Sequence, residues 1–178
     1  MAIKIKKIFF VILIILCVIT SASCSKNENT VKTVPKKSET ESATSISLKT
    51  LEGIDVSSFN GKIDWKAVKN DKIKFAMIRI GGRGYGENGA IYQDKYALYN
   101  LKHAQKENIK TGVYFFSQAT SDAEAKEEAK FVTKMLGNIE ISLPIAYDVE
   151  KIKNDTSRIE NVSYKESVRY AKVFMKTI

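Results

Sequence analysis

The amino-acid sequence predicts an α/β fold built on a parallel sheet. From Gly53 to Ile178, apolar β-favouring segments alternate four times with segments of helical periodicity. The strand segments are almost continuously apolar, which is typical of strands that helices cover in a parallel sheet. Two architectures fit this alternation, an open doubly wound sheet and a βα barrel. A closed barrel takes about 250 residues and roughly eight strands, so only about half of one is expected here.

Apolar runs and turn residues place the strands. In chain order the four segments read GIDVSS, KFAMIRIGG, TGVYFFSQ and LPIAYDVE. Gly81 and Gly82 are expected to stop the second strand, because glycine weakens strand interiors. The fourth strand is expected to begin after Pro144, which has no backbone donor for a sheet.

Capping residues place the helices, which read IDWKAVKN, DKYALYNLKHAQKEN, SDAEAKEEAKFVTKMLGN and SYKESVRYAKVFMKTI. Asp94 is expected to be the N-cap of the second helix or an acid in its first turn. Ser121 opens the third helix and Gly137 closes it. Ser163 and Glu166 predict a capping box at the start of the fourth.

The first 52 residues are not expected to belong to this domain. Residues 1–23 combine basic residues with an apolar run over residues 8–19, which is short for a bilayer that needs roughly 20 helical residues. Small residues follow at once, as in a cleavable export signal, although an uncleaved anchor is the alternative. Residues 24–52 are polar and carry little apolar surface, so they predict a disordered tether to the domain at 53–178.

Cys24 follows the small residues of the leader, in a pattern that resembles a bacterial lipoprotein signal. The resemblance implies that Cys24 is lipidated and anchors the mature chain to the membrane. Ser21 stands where such signals usually carry Leu, so plain cleavage and secretion stay open. Either way we expect export to the cell surface. Because no cysteine follows Cys24, a disulfide or a thiolate metal site inside the domain is excluded.

The formal charge of +9 narrows the range of partners. Part of it comes from lysines before Gly53, and the domain itself is moderately basic. A basic exported domain suits an anionic wall polymer or a membrane surface. Nucleic acid is not expected as a partner, because no block of basic residues is interleaved with aromatic ones.

Three carboxylates carry the strongest chemical signal. Asp148 and Glu150 are two residues apart in a strand, so both point to one face, with their Cα atoms roughly 6–7 Å apart. They lie at the strand's carboxyl end, where α/β enzymes place their active sites. Two like charges this close raise the pKa of at least one carboxyl, which suits leaving-group protonation in a glycosidase. Asp55, at the end of the first strand, is expected to join them; the alternative is that the acids merely face water.

Other signals point away from different chemistries. Residues 84–89, GYGENG, match a dinucleotide pattern, but the next helix begins too late to receive a pyrophosphate. We interpret these glycines as a flexible loop over the mouth of the sheet. The single histidine, His103, is expected on a helix surface, so a zinc hydrolase is not indicated. Ser57 and Ser58 have no partner base for a triad, and Trp65 is expected in the core rather than stacked on a sugar.

The segments GIDVSSFNGKIDW, FAMIRIGGRGYG, GVYFFSQA with DAEAKEEAKFV, and LPIAYDVE resemble, in this order, the motifs of glycoside hydrolase family 25 lysozymes. The resemblance covers Gly53 to Glu150. It implies a modified (β/α) TIM-like barrel, of which about the first four βα units are present. It also implies cleavage of the β-1,4 bond between N-acetylmuramic acid and N-acetylglucosamine in peptidoglycan. Separately, we expect a monomer that needs no cofactor and no metal.

By the same resemblance, Glu150 matches the general acid. Asp148 and Asp55 match the acids that stabilise an oxocarbenium-like transition state or position the reacting N-acetyl group or water. Tyr114 matches an aromatic position that lines the sugar site, and Tyr147, which replaces a smaller apolar residue of the family, is assigned to substrate binding as well.

Family members carry further barrel strands and another acid that have no counterpart here. We therefore expect a truncated domain of low activity. The alternative functions are a non-catalytic lipoprotein that binds the cell wall and a structural surface lipoprotein.

Overall fold

A computed structural model describes residues 50–152 and 157–178 of the chain. The strands are β1 (Gly53–Val56), β2 (Phe75–Arg83), β3 (Ile91–Gln93), β4 (Lys110–Ser117) and β5 (Ile145–Val149). The helices are α1 (Trp65–Asn70), α2 (Ala97–Lys106), α3 (Asp122–Leu136) and α4 (Tyr164–Thr177), and a short 3-10 turn spans Ser58–Asn60. The leader, Cys24 and the tether up to residue 49 lie outside the described residues.

The strands form one sheet in the order β1-β2-β4-β5, and every neighbouring pair along this path is parallel. The short β3 pairs antiparallel with the end of β2. Each of the four parallel strands is followed by a helix, which confirms the predicted α/β class and the four βα units. Consecutive parallel strands are neighbours with no reversal of order, as in a βα barrel and unlike a doubly wound sheet.

The end of β2 differs from the expectation. Gly81 and Gly82 do not stop the strand, which continues to Arg83 because β3 pairs with these residues. A Cβ on Gly82 would lie 2.6 Å from the Tyr92 hydroxyl, so glycine permits the close approach of β3. The loop at residues 84–89 joins β2 to the antiparallel β3, so the element that follows these glycines is a strand and α2 begins only at Ala97.

Helices α3 and α4 begin at the predicted caps, and α1 has a side-chain cap that was not predicted. The side chains of Asp64, Ser121 and Ser163 each accept a hydrogen bond from the first turn of α1, α3 and α4, and Ser163 forms its capping box with Glu166. Helix α2 is the exception: it begins at Ala97 without a side-chain cap, so the prediction that Asp94 caps it or lies in its first turn is wrong. Asp94 is instead buried beside β2, where its carboxylate accepts hydrogen bonds from Arg79 and from the backbone N–H groups of Ser58 and Tyr96.

The apolar core lies between one face of the sheet and the helices. It contains inward residues of the strands, such as Ile78, Val113 and Phe115, together with Leu101 of α2 and Phe174 of α4. Trp65 is a core residue, as predicted: it is 3 % exposed, and its indole Nε1 donates to Asn100 Oδ1 at 3.2 Å. Within residues 50–152 and 157–178, no helix combines the length and apolar character required to cross a membrane.

Candidate active site

Polar side chains lie on the face of the sheet opposite the helices, towards the carboxyl ends of the strands. The register of β1 with β2 places Asp55 and Arg79 on this face, because side chains alternate along each strand. Arg79 pairs with Tyr114 of β4. The register of β4 with β5 places Asp148 on the same side as Tyr114. We call these four side chains, Asp55, Arg79, Tyr114 and Asp148, the polar face.

Asp148 is the electrostatic centre of the polar face. Burial raises the pKa of Asp148 to about 6, and the carboxylates of Glu150 and Asp55 add to the increase. The nearby Arg79 guanidinium opposes it. The structure therefore brings the three predicted carboxylates into one electrostatic cluster, and Asp148 keeps its proton into mildly acidic solution.

Tyr114 lies inside this cluster. Burial raises the pKa of Tyr114 to about 12, the charges of Asp55 and Asp148 act in the same direction, and Arg79 acts against them. The neighbouring Ser57 side chain has a smaller, opposite effect. The phenol therefore stays protonated and offers a polar group beside the carboxylates, at the position predicted for a sugar contact.

Glu150 lies one residue beyond β5 and is exposed. Its carboxylate lies close enough to Asp148 to raise the pKa of that acid, so the two acids form a pair as their spacing predicts. The backbone of Glu150 is held from below by Gln118, whose Nε2 donates to the Glu150 carbonyl oxygen at 3.2 Å. Glu150 thus has an exposed carboxylate on a backbone position that the buried Gln118 side chain holds in place.

Gln118 belongs to a polar network that the sequence analysis did not identify. The side chain is fully buried, and its Oε1 accepts from the backbone N–H of Arg158 at 3.2 Å. The Arg158 guanidinium donates to the Gln118 carbonyl oxygen at 3.0 Å and forms an ion pair with Glu124 of α3 at 2.6 Å. This network connects the ends of β4 and β5 to α3 behind the carboxylate pair.

Comparison with known proteins agrees with this arrangement. Residues 54–178, more than half of the chain, match Glycosyl hydrolases family 25.

This chain belongs to glycosyl hydrolase family 25.

Solved structures share the fold of this family 25 domain. The modular autolysin LytC from Streptococcus pneumoniae is 27 % identical with a TM-score of 0.57, over 70 % of this chain and 28 % of LytC. A family 25 glycosyl hydrolase from Bacillus anthracis is 25 % identical with a TM-score of 0.57, over 72 % of this chain and 54 % of that protein. For the lysozyme from Streptomyces coelicolor the values are 22 % and 0.55, over 73 % and 58 %.

This family 25 chain thus spans roughly a quarter to three-fifths of the length of these structures. The similarity supports the TIM-like fold class, with a partial barrel present. A comparison with curated proteins gave no match.

The family 25 domain holds a second charged group beside the carboxylates that the sequence analysis also missed. The Arg79 side chain donates through Nε to Asp94 Oδ2 at 2.9 Å and through Nη2 to Ser58 Oγ at 3.0 Å. Asp94 Oδ2 also accepts from the Ser58 backbone N–H at 2.8 Å. The available signal was a charged residue in the middle of an otherwise apolar strand, which requires a buried partner.

Tyr147 is not brought to the carboxylates. Adjacent strand residues face opposite ways, so Tyr147 points towards the helices while Asp148 points to the polar face. The Tyr147 hydroxyl lies 2.7 Å from Ser117 Oγ and 3.0 Å from Glu128 Oε2, and its ring centroid lies 4.5 Å from that of Phe174. Burial raises the pKa of this phenol. Tyr147 therefore packs on the helical side of the sheet, and the structure does not support its predicted role in substrate binding.

His103 lies on α2, stacked on Tyr99 with ring centroids 4.0 Å apart, at a half-buried position away from the polar face. In the part of the chain that the structure describes, no group of three or more His, Cys, Asp and Glu side chains has an arrangement that would hold a metal ion. The carboxylates that converge on the polar face, with the raised pKa of Asp148, are suited to proton transfer and to stabilising positive charge.

Proposed function

We propose that this chain is an N-acetylmuramidase that cleaves the β-1,4 bond between N-acetylmuramic acid and N-acetylglucosamine in peptidoglycan. The observation that carries the proposal is the carboxylate pair of Asp148 and Glu150, with Asp55 beside it, at the carboxyl ends of strands in a family 25 domain. The fold similarity to LytC, which has been solved in complex with a synthetic peptidoglycan ligand, supports the choice of substrate.

The roles follow from exposure and charge. Burial and the neighbouring Glu150 carboxylate raise the pKa of Asp148 to about 6, so Asp148 keeps a proton beside Glu150 in mildly acidic solution. Glu150 is the more exposed member and presents that proton to the glycosidic oxygen. The carbon–oxygen bond breaks as the leaving sugar takes the proton, and the negative charge left on the carboxylates stabilises the positive charge that develops on the remaining sugar. Water then adds to the anomeric carbon and its proton returns to the pair.

The direct test is Glu150→Gln, assayed by the release of reducing ends from purified peptidoglycan. Loss of an acid catalyst typically lowers rates by about 10²–10⁴-fold, and we expect a decrease in that range. Glu140→Gln is the matched control, because Glu140 is an exposed acid in the loop before β5, at the opposite end of the strand from Glu150. Mass analysis of the products would show muramic acid at the new reducing end. Wild-type rates in the Glu150→Gln protein, or glucosamine at that end, would refute the assignment.

A second candidate is a module that binds the wall glycan without cutting it. The exposure of both Asp55 and Glu150 favours this candidate, since enclosed carboxylates are better shielded from water during catalysis. Sedimentation with insoluble peptidoglycan separates the two functions: binding without release of reducing ends by the wild-type protein would identify the module.

A further inference from the structure

An aromatic side chain stands unusually exposed beside the polar face. Phe59 is 89 % exposed, the highest value among the large apolar side chains of the described residues. Its backbone is nevertheless well fixed: Ser57 and Asn60 form a reciprocal capping box around the 3-10 turn that carries it. The Ser57 N–H donates to Asn60 Oδ1 at 2.8 Å, and the Phe59 N–H donates to Ser57 Oγ at 3.3 Å. A rigid turn therefore holds an apolar ring in water, at a cost in hydration free energy.

The ring of Phe59 is also fixed from behind. The Arg79 guanidinium carbon lies 4.8 Å from the centroid of Phe59 and 5.9 Å from the centroid of Tyr92, which is 38 % exposed. Arg79 cannot move freely, because Asp94 and Ser58 hold it and Asp94 is buried. The two rings and the guanidinium form a preorganised surface, which we call the aromatic flank (Phe59, Arg79 and Tyr92).

The aromatic flank is continuous with the carboxylates. Phe59 follows Asp55 by four residues, and Arg79 is the register partner of Tyr114. The negative charges of Asp55 and Asp148 both raise the pKa of Tyr114, which therefore lies near both carboxylates. A glycan strand whose scissile bond lies at the carboxylates would therefore pass over, or end on, the aromatic flank.

We propose that Phe59 and Tyr92 form a sugar-stacking subsite that binds a pyranose ring of the glycan strand beyond the two sugars at the cleaved bond. The apolar C–H face of such a ring covers the exposed aromatic carbon, which removes apolar surface from water without breaking a hydrogen bond. The inference rests on the proposed glycan substrate, and it adds a site that favours longer glycan strands over short ones.

The test compares Phe59→Ala with Tyr164→Ala. Tyr164 is the matched control, because it is 86 % exposed but lies at the start of α4, outside the polar face and the aromatic flank. Each substitution is made in the Glu150→Gln background, and calorimetry measures binding of uncross-linked peptidoglycan tetrasaccharide and hexasaccharide. We expect Phe59→Ala to weaken hexasaccharide binding by about three- to tenfold, as for loss of one aromatic contact. Tyr164→Ala should bind like its parent, and Phe59→Trp should retain affinity.

The outcomes separate the two proposals. Binding that depends on Phe59, in a chain whose wild-type form releases no reducing ends, would refute the muramidase and keep the subsite. Active wild-type protein whose glycan binding is the same with Phe59→Ala would refute the subsite alone. A fall in melting temperature for Phe59→Ala with unchanged affinity would also overturn it, because Phe59 would then serve only the fold.

Discussion

At the residue scale, burial and neighbouring negative charges both disfavour the ionised form of Asp148. The side chain is partly removed from water, and its two nearest charged neighbours of like sign, Glu150 and Asp55, repel its ionised form. The folded protein therefore binds a proton at Asp148 more tightly than the unfolded chain does. Since folding takes up that proton between about pH 4 and pH 6, ionised Asp148 costs stability above pH 6 and costs nothing below pH 4.

Asp148→Asn should therefore stabilise the protein at pH 7 and leave its stability at pH 4 nearly unchanged. The pKa increase from 3.8 to about 6 corresponds to an upper limit of about 3 kcal/mol. Because the side chain retains contact with solvent, we expect about 1 kcal/mol. Urea unfolding at the two pH values measures the difference, and a gain of equal size at both would show that the asparagine acts through packing instead. The same substitution should lower the release of reducing ends.

The alternation of side chains along a strand predicted which residues form the carboxylate cluster, but it did not predict which other side chains contact them. Alternation along the strand put Asp148 and Glu150 on one face, as the structure has them. The same alternation places Tyr147 on the opposite face, so its position in the family motif is not enough to assign it to the substrate site. Phe59 gave no signal, because a single aromatic residue in a short turn is equally compatible with a buried ring. Its exposure depends on where Arg79 and Tyr92 lie in three dimensions.

At the element scale, the end of β5 is held by its neighbour β4. Gln118 follows β4 directly, is fully buried, and uses its amide nitrogen on the Glu150 carbonyl and its amide oxygen on the Arg158 N–H. Both hydrogen bonds go to backbone groups, the Glu150 carbonyl and the Arg158 N–H, that lie beyond the end of β5. We therefore infer that Gln118 is a positioning residue, which acts through the backbone of Glu150.

Gln118→Met, which removes both hydrogen bonds at similar size, should lower kcat by about tenfold and leave KM for glycan nearly unchanged. The control is Gln105→Met: Gln105 donates to Thr111 Oγ1 at 3.0 Å and to the Glu140 carbonyl at 2.7 Å, away from the carboxylates. Both substitutions should cost about 1–3 kcal/mol of stability, measured by urea unfolding. Equal losses of kcat in the two proteins would show that Gln118 has only a structural role. Gln118→Glu, which keeps the acceptor for Arg158 but removes the donor to Glu150, should resemble Gln118→Met in kcat.

Local signals predicted helix starts but not the end of β2. Capping side chains act on backbone N–H groups within three residues, so Ser121 and Ser163 are recognisable in the sequence alone. The continuation of β2 through Gly81 and Gly82 depends on β3, a strand of three residues with too little pattern to predict. Asp94 was misassigned for a related reason, since its partner Arg79 lies in another element.

At the scale of the whole molecule, a buried ionic network connects the sheet to its helical layer. Arg83, at the end of β2, donates through Nε to Glu128 Oε1 at 2.8 Å and through Nη1 to the Gly89 carbonyl at 2.7 Å. Glu128 of α3 is fully buried and also contacts the hydroxyls of Ser117 and Tyr147. Strands β2, β4 and β5 thus share one carboxylate with α3, on the face of the sheet opposite the proposed active site.

Removing the cation from this network should destabilise the entire fold. Arg83→Met leaves the Glu128 carboxylate buried without its positive partner, which typically costs about 3–5 kcal/mol. Burial already raises the pKa of Glu128, and loss of the opposing Arg83 interaction should raise it further. The variant should therefore regain stability as the pH falls and Glu128 takes up a proton, a trend that the wild-type protein should follow less steeply. Arg169→Met is the matched control, because the Arg169–Asp122 pair is 56 % and 47 % exposed, and an ion pair that exposed contributes little to stability. Urea unfolding between pH 4.5 and pH 7 measures the free energy of unfolding of the wild-type protein and of both variants. An Arg83→Met protein as stable as Arg169→Met at pH 7 would mean that packing around Glu128, and not its ion pair with Arg83, holds α3 on the sheet.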